Sequence, residues 1–149
     1  MRRRLVPMVL LVLGLLGLLG LSACGPSKDP VRALLDEAEE AAEDRDAQAV
    51  ADLLAPDLAA GGMDKAALAG TLRQYFAAYQ ALDVSLSDIK SVQRAGSARV
   101  TFTARLTGVP QTFGGVGDLV PKNAAYDFEL VLREAPDGWL ISQISWQER

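Results

Sequence analysis

Histidine is absent from this chain, and cysteine occurs once, at position 24. These two residue types are the commonest ligands of zinc, iron and copper, and histidine is the usual catalytic base of hydrolases. Metal centres built on them, and Ser-His or Cys-His nucleophiles, are therefore excluded. The glycine-rich segment 114–117 is predicted as a loop rather than a strand-to-helix turn, so it does not indicate a phosphate or dinucleotide site. We expect no metal and no cofactor.

Basic residues are also few, with 15 lysines and arginines against 19 acids and a net charge of −4. No basic cluster follows the first four positions, so we expect no binding of nucleic acid. If the first 23 residues are removed, as argued below, twelve basic residues against nineteen acids leave a net charge of about −7. An acidic domain of this kind stands off from an anionic membrane surface.

The long hydrophobic run lies at the N-terminus. Three arginines, Arg2 to Arg4, precede an uncharged stretch from Leu5 to Leu21, which is typical of a secretory signal peptide. The alternative is a transmembrane helix, but at about 1.5 Å per residue this run spans roughly 26 Å, less than the ~30 Å hydrocarbon core. Basic residues keep the N-terminal end in the cytoplasm. Both interpretations therefore export the rest of the chain.

Cys24 ends this run in the sequence Leu21-Ser22-Ala23-Cys24. A free thiol is a liability in an exported protein, and an intrachain disulfide needs a second cysteine. The four residues resemble the lipobox of bacterial lipoproteins, in which the cysteine receives a diacylglyceryl group and cleavage follows just before it. The resemblance implies lipid attachment at Cys24, with two or more acyl chains that anchor the protein stably in a membrane.

This resemblance also implies a location and a domain organisation. In lipoproteins an aspartate after the cysteine signals retention in the inner membrane, and this chain has Gly25 there. We expect an exported bacterial protein anchored to the cell membrane or, in a cell with two membranes, to the outer membrane facing the periplasm. The chain then divides into a leader (1–23), a lipidated cysteine with a short tether (24–29) and one domain (30–149).

Three helices are predicted in the first half of this domain, each after an aspartate that can act as N-cap. The first begins at Pro30, the second is "AQAVADLLA" ended by Pro56, and the third runs from about Lys65 to Gln80. The acid-rich face of the first is either a cation or partner site or a solvated face; the solvated face is favoured because neighbouring acids on a helix do not converge on one ion. The apolar stripe of the third comprises Leu68, Leu72, Tyr75, Phe76 and Tyr79.

After Leu82 the hydrophobic period becomes alternating, which predicts strands. Turns are predicted at 94–97 and 135–138, and a long loop at 108–123. Four apolar residues of the last strand share one face only if a β-bulge falls near Ser142 and Gln143. We expect its two tryptophans, Trp139 and Trp146, to be largely buried. The four predicted main strands are "VSLSDIKSV", "ARVTFTARLT", "AYDFELVLR" and "WLISQISWQ".

The order of these elements and the closing "LVLREAPDGWLISQISW" (130–146) resemble the nuclear transport factor 2-like superfamily. The resemblance implies an α+β cone, with three N-terminal helices packed on a curved antiparallel sheet of about four main strands and a cavity between the two layers. The chain looks most like small bacterial lipoproteins of that superfamily. Because the superfamily includes isomerases, dehydratases, transport factors and non-catalytic modules, the fold alone does not assign a function.

Alternation places no acid, lysine or arginine on the helix-facing side of the last three strands. Asp127 and Glu129 fall on the opposite face with Arg99 and Arg105, where cross-strand pairing is the simplest interpretation. The pattern therefore favours a non-catalytic binding or interaction module with an apolar cavity for a small hydrophobic ligand. The candidate cavity residues are Tyr75, Tyr79, Phe102, Tyr126, Phe128, Trp139 and Trp146, with the loop 108–123 as a lid.

Two other hypotheses stay open at this point. One is an isomerase or dehydratase on the same scaffold, with a tyrosine and a helix-borne acid such as Asp83 or Asp88 as the acid–base couple. The other is an accessory subunit of an envelope complex, which would meet a protein partner through the outer face of the sheet.

Overall fold

The computed structural model describes residues 29–113 and 116–149. The leader and the predicted lipid site at Cys24 lie outside these residues. No helix in the described ranges is long and apolar enough to cross a membrane. The elements are α1 (Pro30–Glu43), α2 (Ala47–Asp52), β1 (Leu54–Ala60), α3 (Lys65–Ala77), β2 (Tyr79–Arg94), β3 (Ser97–Pro110), a 3₁₀ turn (Val116–Leu119), β4 (Asn123–Ala135) and β5 (Gly138–Glu148).

The helices begin where the sequence predicts. Asp29, Asp46 and Asp64 each accept a backbone N–H of the following first turn, at 2.8–3.0 Å. Such N-caps depend on local sequence alone, since the side chain satisfies a donor two or three residues further along. The acid-rich face of α1 is exposed, and its Asp36 pairs with Arg32 one turn earlier.

Five strands form one curved mixed sheet in the order β1-β5-β4-β3-β2. The predicted count of four was too low because Leu54 and Ala55 were assigned to the second helix and the rest of β1 to no element. β1 is an edge strand that runs parallel to β5, and the N–H of Ile141 donates to the carbonyl of Leu53 at 2.8 Å. Pro56 is tolerated there because an edge strand leaves some N–H groups unpaired.

The helices cover one face of the sheet, which we call the inner face. Val31, Leu34 and Leu35 of α1 pack with Val100 of β3 and Leu132 of β4 in the main core. The other face, the outer face, carries the alternating polar residues. The α+β class predicted from the sequence, with helices packed on a curved sheet, is therefore confirmed, although the sheet is mixed rather than antiparallel.

Tyr79 does not continue the third helix. α3 ends at Ala77, and Tyr79 is the first residue of β2, paired with Pro110 of β3. The predicted helix to Gln80 was wrong because neither glycine nor proline marks the end of α3. The helix ends where its C-cap, Ala78, donates to the carbonyl of Tyr75 at 3.2 Å.

The predicted β-bulge in the last strand is confirmed. Val131 pairs with Gln143 and Leu132 with Ile141, so Ser142 is the extra residue, and its hydroxyl donates to the carbonyl of Val131 at 3.0 Å. The bulge keeps the apolar residues on both sides of Ser142 on the inner face.

The two ends of the sheet carry different connections between strands. The β2–β3 and β4–β5 turns lie at one end, the hairpin end, where Gln93 donates a hydrogen bond to Asp29 before α1. The β3–β4 connection and the C-terminus lie at the other end, the loop end, where Tyr126 pairs with Glu148. Tyr79 also lies at the loop end, fourteen residues along β2 from Gln93.

Candidate functional site

Three aromatic residues lie side by side on the inner face near the loop end. Phe102 of β3 pairs with Phe128 of β4, and Phe128 pairs with Trp146 of β5. The Phe102 and Phe128 rings stack with centroids 5.3 Å apart, and Trp146 follows at 6.5 Å from Phe128. We call these three residues the aromatic row. Phe102 and Phe128 are half-buried, and Trp146 is 39% exposed, so the row is a surface that a ligand can reach.

The exposure of Trp146 corrects the prediction that both tryptophans are largely buried. The ring of Trp146 lies against the turn after β1, where a Cβ atom on Gly61 would touch it at 3.0 Å. Trp139 is half-buried near the hairpin end, where it packs against the main core and pairs with Glu134. Trp139 is therefore separate from the other candidate cavity residues.

Three tyrosines continue from the aromatic row toward α3. Tyr126 contacts Phe128 edge to face at 6.2 Å, and Tyr75 contacts Tyr79 in the same way at 5.3 Å. Tyr126 lies near enough to Tyr75 for the two phenols to influence each other's pKa. Six of the seven candidate residues thus form one contiguous array, although α3, β2, β3, β4 and β5 all contribute to it.

The tyrosine hydroxyls form a directed chain of hydrogen bonds. The hydroxyl of Tyr79 donates to the carbonyl oxygen of Pro121 at 2.7 Å, and it lies 3.2 Å from the hydroxyl of Tyr75. A carbonyl accepts only and a hydroxyl has one proton, so the proton between the two rings comes from Tyr75. The chain therefore runs from Tyr75 through Tyr79 to Pro121.

This arrangement keeps the phenols protonated. Burial raises the pKa of Tyr75 well above its usual value of 10, the hydrogen bond to Tyr79 adds to this, and the Glu148 carboxylate raises it further. Burial also raises the pKa of Tyr126, with contributions from Tyr75 and Glu148. A phenol whose pKa is raised does not serve as a general base near neutral pH.

Glu148 is a residue that the sequence analysis missed. It lies directly opposite Tyr126 and two residues after Trp146, so it shares the inner face with both. The predicted strand stopped at Gln147, one residue too early, although the same alternation continued by one step would have included Glu148. We call the loop-end part of the inner face bordered by Tyr75, Tyr126, Phe128, Trp146 and Glu148 the mouth.

The β3–β4 connection is attached to Tyr79. The backbone N–H of Gln111 donates to the carbonyl of Ala78, its side-chain amide donates to the carbonyl of Tyr79, and Val120 packs against the same cluster. Residues 114–115 of the predicted lid lie outside the described ranges. Both described ends of this connection are thus held at the junction of α3 and β2.

A shallow groove of about 400 Å³ is lined by polar residues of the outer face and also by the three residues of the aromatic row. In it the hydroxyl of Thr103 donates to Asp127 at 2.8 Å, and Arg149 pairs with the same carboxylate at 2.9 Å. The hydrogen bond from Arg149, followed by that from Thr103, lowers the pKa of Asp127 below its usual value. Glu129 pairs with Arg99 beside it, as the alternation predicts.

The acids proposed for an enzymatic couple lie away from the tyrosines. Asp83 and Asp88 are both in β2, not on a helix; Asp83 alternates with the buried Leu82 and Val84, and Asp88 borders the shallow groove beside Arg149. The prediction that one of them forms a couple with a cavity tyrosine was wrong in placing them on a helix. In the described part of the chain, no group of three or more acids, histidines or cysteines could hold a metal ion.

Solved structures of other proteins superpose on this chain over most of its length. A protein from Streptomyces avermitilis, provisionally described as a dehydratase of the nuclear transport factor 2-like family, superposes with a TM-score of 0.67 at 15% identity, over 80% of this chain and 94% of that one. A nuclear transport factor 2-like superfamily protein from Salmonella enterica gives 0.65 at 12% identity, over 79% and 87%. This chain has the nuclear transport factor 2-like fold.

A third structure, Bdellovibrio bacteriovorus Bd1075, matches with a TM-score of 0.66 at 14% identity. The nuclear transport factor 2-like domain here spans 80% of this chain but only 39% of Bd1075. No protein-family model and no curated protein matches the chain. At these identities the nuclear transport factor 2-like neighbours establish the fold, which serves both binding and enzymatic roles.

Proposed function

We propose that this protein is a lipoprotein, held outside the cytoplasm by acyl chains on Cys24, and that its domain is a non-catalytic module that binds a small apolar ligand at the mouth. The observation that carries the binding role is the half-exposed aromatic row beside the tyrosine chain. Apolar surfaces with a few convergent polar groups are the usual form of small-molecule sites.

The position of the tether supports this arrangement. Asp29, the first described residue, contacts Gln93 at the hairpin end. Asp29 follows Cys24 by five positions, so the tether reaches at most about 18 Å from the membrane surface. The mouth lies at the opposite, loop end of a strand sixteen residues long. The anchor therefore leaves the mouth accessible from the aqueous compartment, which in a cell with two membranes would be the periplasm.

An enzyme of the isomerase or dehydratase type is the alternative, because the Streptomyces avermitilis neighbour is provisionally described as a dehydratase. Acid–base catalysis needs a titratable group of suitable pKa in a pocket that excludes water. Here Tyr75 and Tyr126 are held protonated, and Glu148 is exposed at the rim. These features favour binding over catalysis.

A role as an accessory subunit of an envelope complex is the other alternative. Large apolar patches mark protein interfaces, whereas the exposed outer-face residues of the groove are paired charges and hydroxyls, such as Asp127 and Arg149. The aromatic row is a short apolar surface of three rings, which suits a small ligand better than a protein.

A thermal-shift screen of hydrophobic metabolites and lipids tests the binding role. A ligand at ten times its Kd stabilises the folded state by about 1.4 kcal/mol, which raises the Tm of a domain of this size by several degrees. Trp146→Ala should abolish the shift. Val92→Ala, which truncates another exposed apolar residue near the hairpin end, should leave it unchanged. A ligand whose shift survives in Trp146→Ala would contradict binding at the mouth.

A further inference from the structure

The rim of the mouth offers two hydrogen-bond acceptors, the Glu148 carboxylate and the hydroxyl oxygen of Tyr126 opposite it. From this pair and the exposed aromatic row beside it, we propose that the mouth selects ligands that carry a protonated amine attached to an apolar or aromatic body. This inference rests on the proposed binding function, because it names the class of ligand for the same site.

The tyrosine hydroxyls supply the first argument. The Tyr79 hydroxyl donates to the Pro121 carbonyl at 2.7 Å, so Tyr75 donates to Tyr79. Tyr126 lies near Tyr75 and directly opposite Glu148. Its hydroxyl oxygen carries two lone pairs that can accept a hydrogen bond from a ligand.

The Glu148 carboxylate is the second acceptor. Glu148 and Tyr126 are directly opposite in the β4–β5 ladder, which brings their Cβ atoms to about 5 Å. None of the ion pairs within the described ranges involves Glu148. The adjacent cation, Arg149, points to the outer face and is occupied by Asp127 at 2.9 Å. A carboxylate without a cationic partner beside an acceptor oxygen is complementary to an ammonium group.

The aromatic row supplies the floor for such a ligand. The faces of aromatic rings carry partial negative charge and attract cations within about 6 Å of the ring centre, most strongly for tryptophan. Trp146 precedes Glu148 by two residues on the same face, and the stacked Phe128 and Phe102 rings extend the apolar surface across two more strands. An amine at the rim can therefore contact Glu148 while its apolar body lies along the row.

The same features disfavour anionic ligands. A carboxylate or phosphate at the rim would meet the Glu148 carboxylate and the negative ring faces, and like charges repel. A neutral alcohol retains the apolar contact and can donate one hydrogen bond, but it lacks the charge. The expected order of affinity is amine, then alcohol, then acid.

Three probes with the same phenylpropyl body test this order: 3-phenylpropylammonium, 3-phenylpropanol and 3-phenylpropanoate, each titrated calorimetrically into the purified protein at pH 7. For a partly exposed charge beside aromatic rings we expect the ammonium to bind about three- to tenfold more tightly than the alcohol, and the carboxylate most weakly. Glu148→Gln should remove most of the preference for the ammonium. Glu134→Gln, the same change at the hairpin end of β4, should retain it.

The outcomes separate the two proposals. If all three probes bind to the wild-type protein with equal affinity and do not bind to Trp146→Ala, the mouth binds ligands but the proposed selection of amines is wrong. Retention of the full preference in Glu148→Gln would also overturn the selection. If none of the probes binds to the wild-type protein at millimolar concentration, both the selection and the binding function proposed for the mouth are overturned.

Discussion

The ring of Tyr79 lies directly on the backbone of Gly108, so closely that a Cβ atom at position 108 would overlap its Cδ1 and Cε1 atoms. Tyr79 is fully buried and holds the β3–β4 connection through Pro121. The absence of a side chain at position 108 therefore positions the innermost ring of the tyrosine array.

Gly108→Ala should consequently destabilise the protein. Overpacking of this kind costs about 1–3 kcal/mol, which urea-induced unfolding followed by circular dichroism will measure. Gly70→Ala is the matched control, because a Cβ atom at that position of α3 meets no neighbour within 4 Å. In a helix that change should stabilise by roughly 0.5–1 kcal/mol. Equal stability of Gly108→Ala and wild type would show that the ring does not lie on this backbone.

The raised pKa values of Tyr75 and Tyr126 predict a dependence of stability on alkaline pH. The folded state favours the neutral phenols, so their contribution is fully present below pH 10 and is lost as pH rises from 10 toward the higher pKa values of the folded state. Urea unfolding between pH 9 and pH 11 should show this loss. Tyr75→Phe should show a shallower decline over the same range, and an identical decline in both proteins would contradict the buried hydroxyl chain.

The bulge at Ser142 predicts opposite results for two deletions in the same strand. Without Ser142, Ile141 and Gln143 can still pair with Leu132 and Val131, so the protein should fold with the loss of one hydrogen bond worth roughly 1 kcal/mol. Deletion of Ser145 instead turns Trp146 and Glu148 to the outer face and Gln147 to the inner face. Acrylamide quenching of tryptophan fluorescence and ligand titration should distinguish them, with binding lost only when Ser145 is deleted.

Lipid attachment at Cys24 can be tested in the producing cell. Cys24→Ser should leave the leader uncleaved and abolish partitioning of the mature protein into the detergent phase of Triton X-114. Ser22→Ala retains the lipobox pattern and should be processed normally. Mass spectrometry that finds an unmodified thiol on Cys24 of the mature wild-type protein would refute the anchor.

Features set by neighbouring residues were predictable from the sequence. The three aspartate N-caps needed only the residues that follow them, and the bulge followed from the need to keep Ile141 and Ile144 on one face. β1 was not predictable in this way, because its seven residues include Pro56 and its partner strand lies at the far end of the chain. Pairing between distant segments leaves little local signal in a short edge strand.

The candidate site shows the same division. Alternation along β3 and β4 correctly placed Phe102, Tyr126 and Phe128 on the inner face. From the sequence, Trp139 and Trp146 were assigned to one cavity because both lie on the same face of β5. They lie near opposite ends of this eleven-residue strand, so they do not share a site. The electrostatic character of the mouth depended on Glu148, one residue beyond the predicted strand end, and strand ends are where sequence patterns are least informative.

Binding at the mouth can be measured directly because the chain has only two tryptophans, one at each end of β5. In ¹H–¹⁵N correlation spectra each indole N–H gives one resonance, which Trp139→Phe assigns. Titration with 3-phenylpropylammonium should shift the Trp146 indole resonance progressively to saturation while the Trp139 resonance stays in place. Movement of the Trp139 resonance alone, or of neither resonance at millimolar ligand, would contradict the account of the mouth as the binding site.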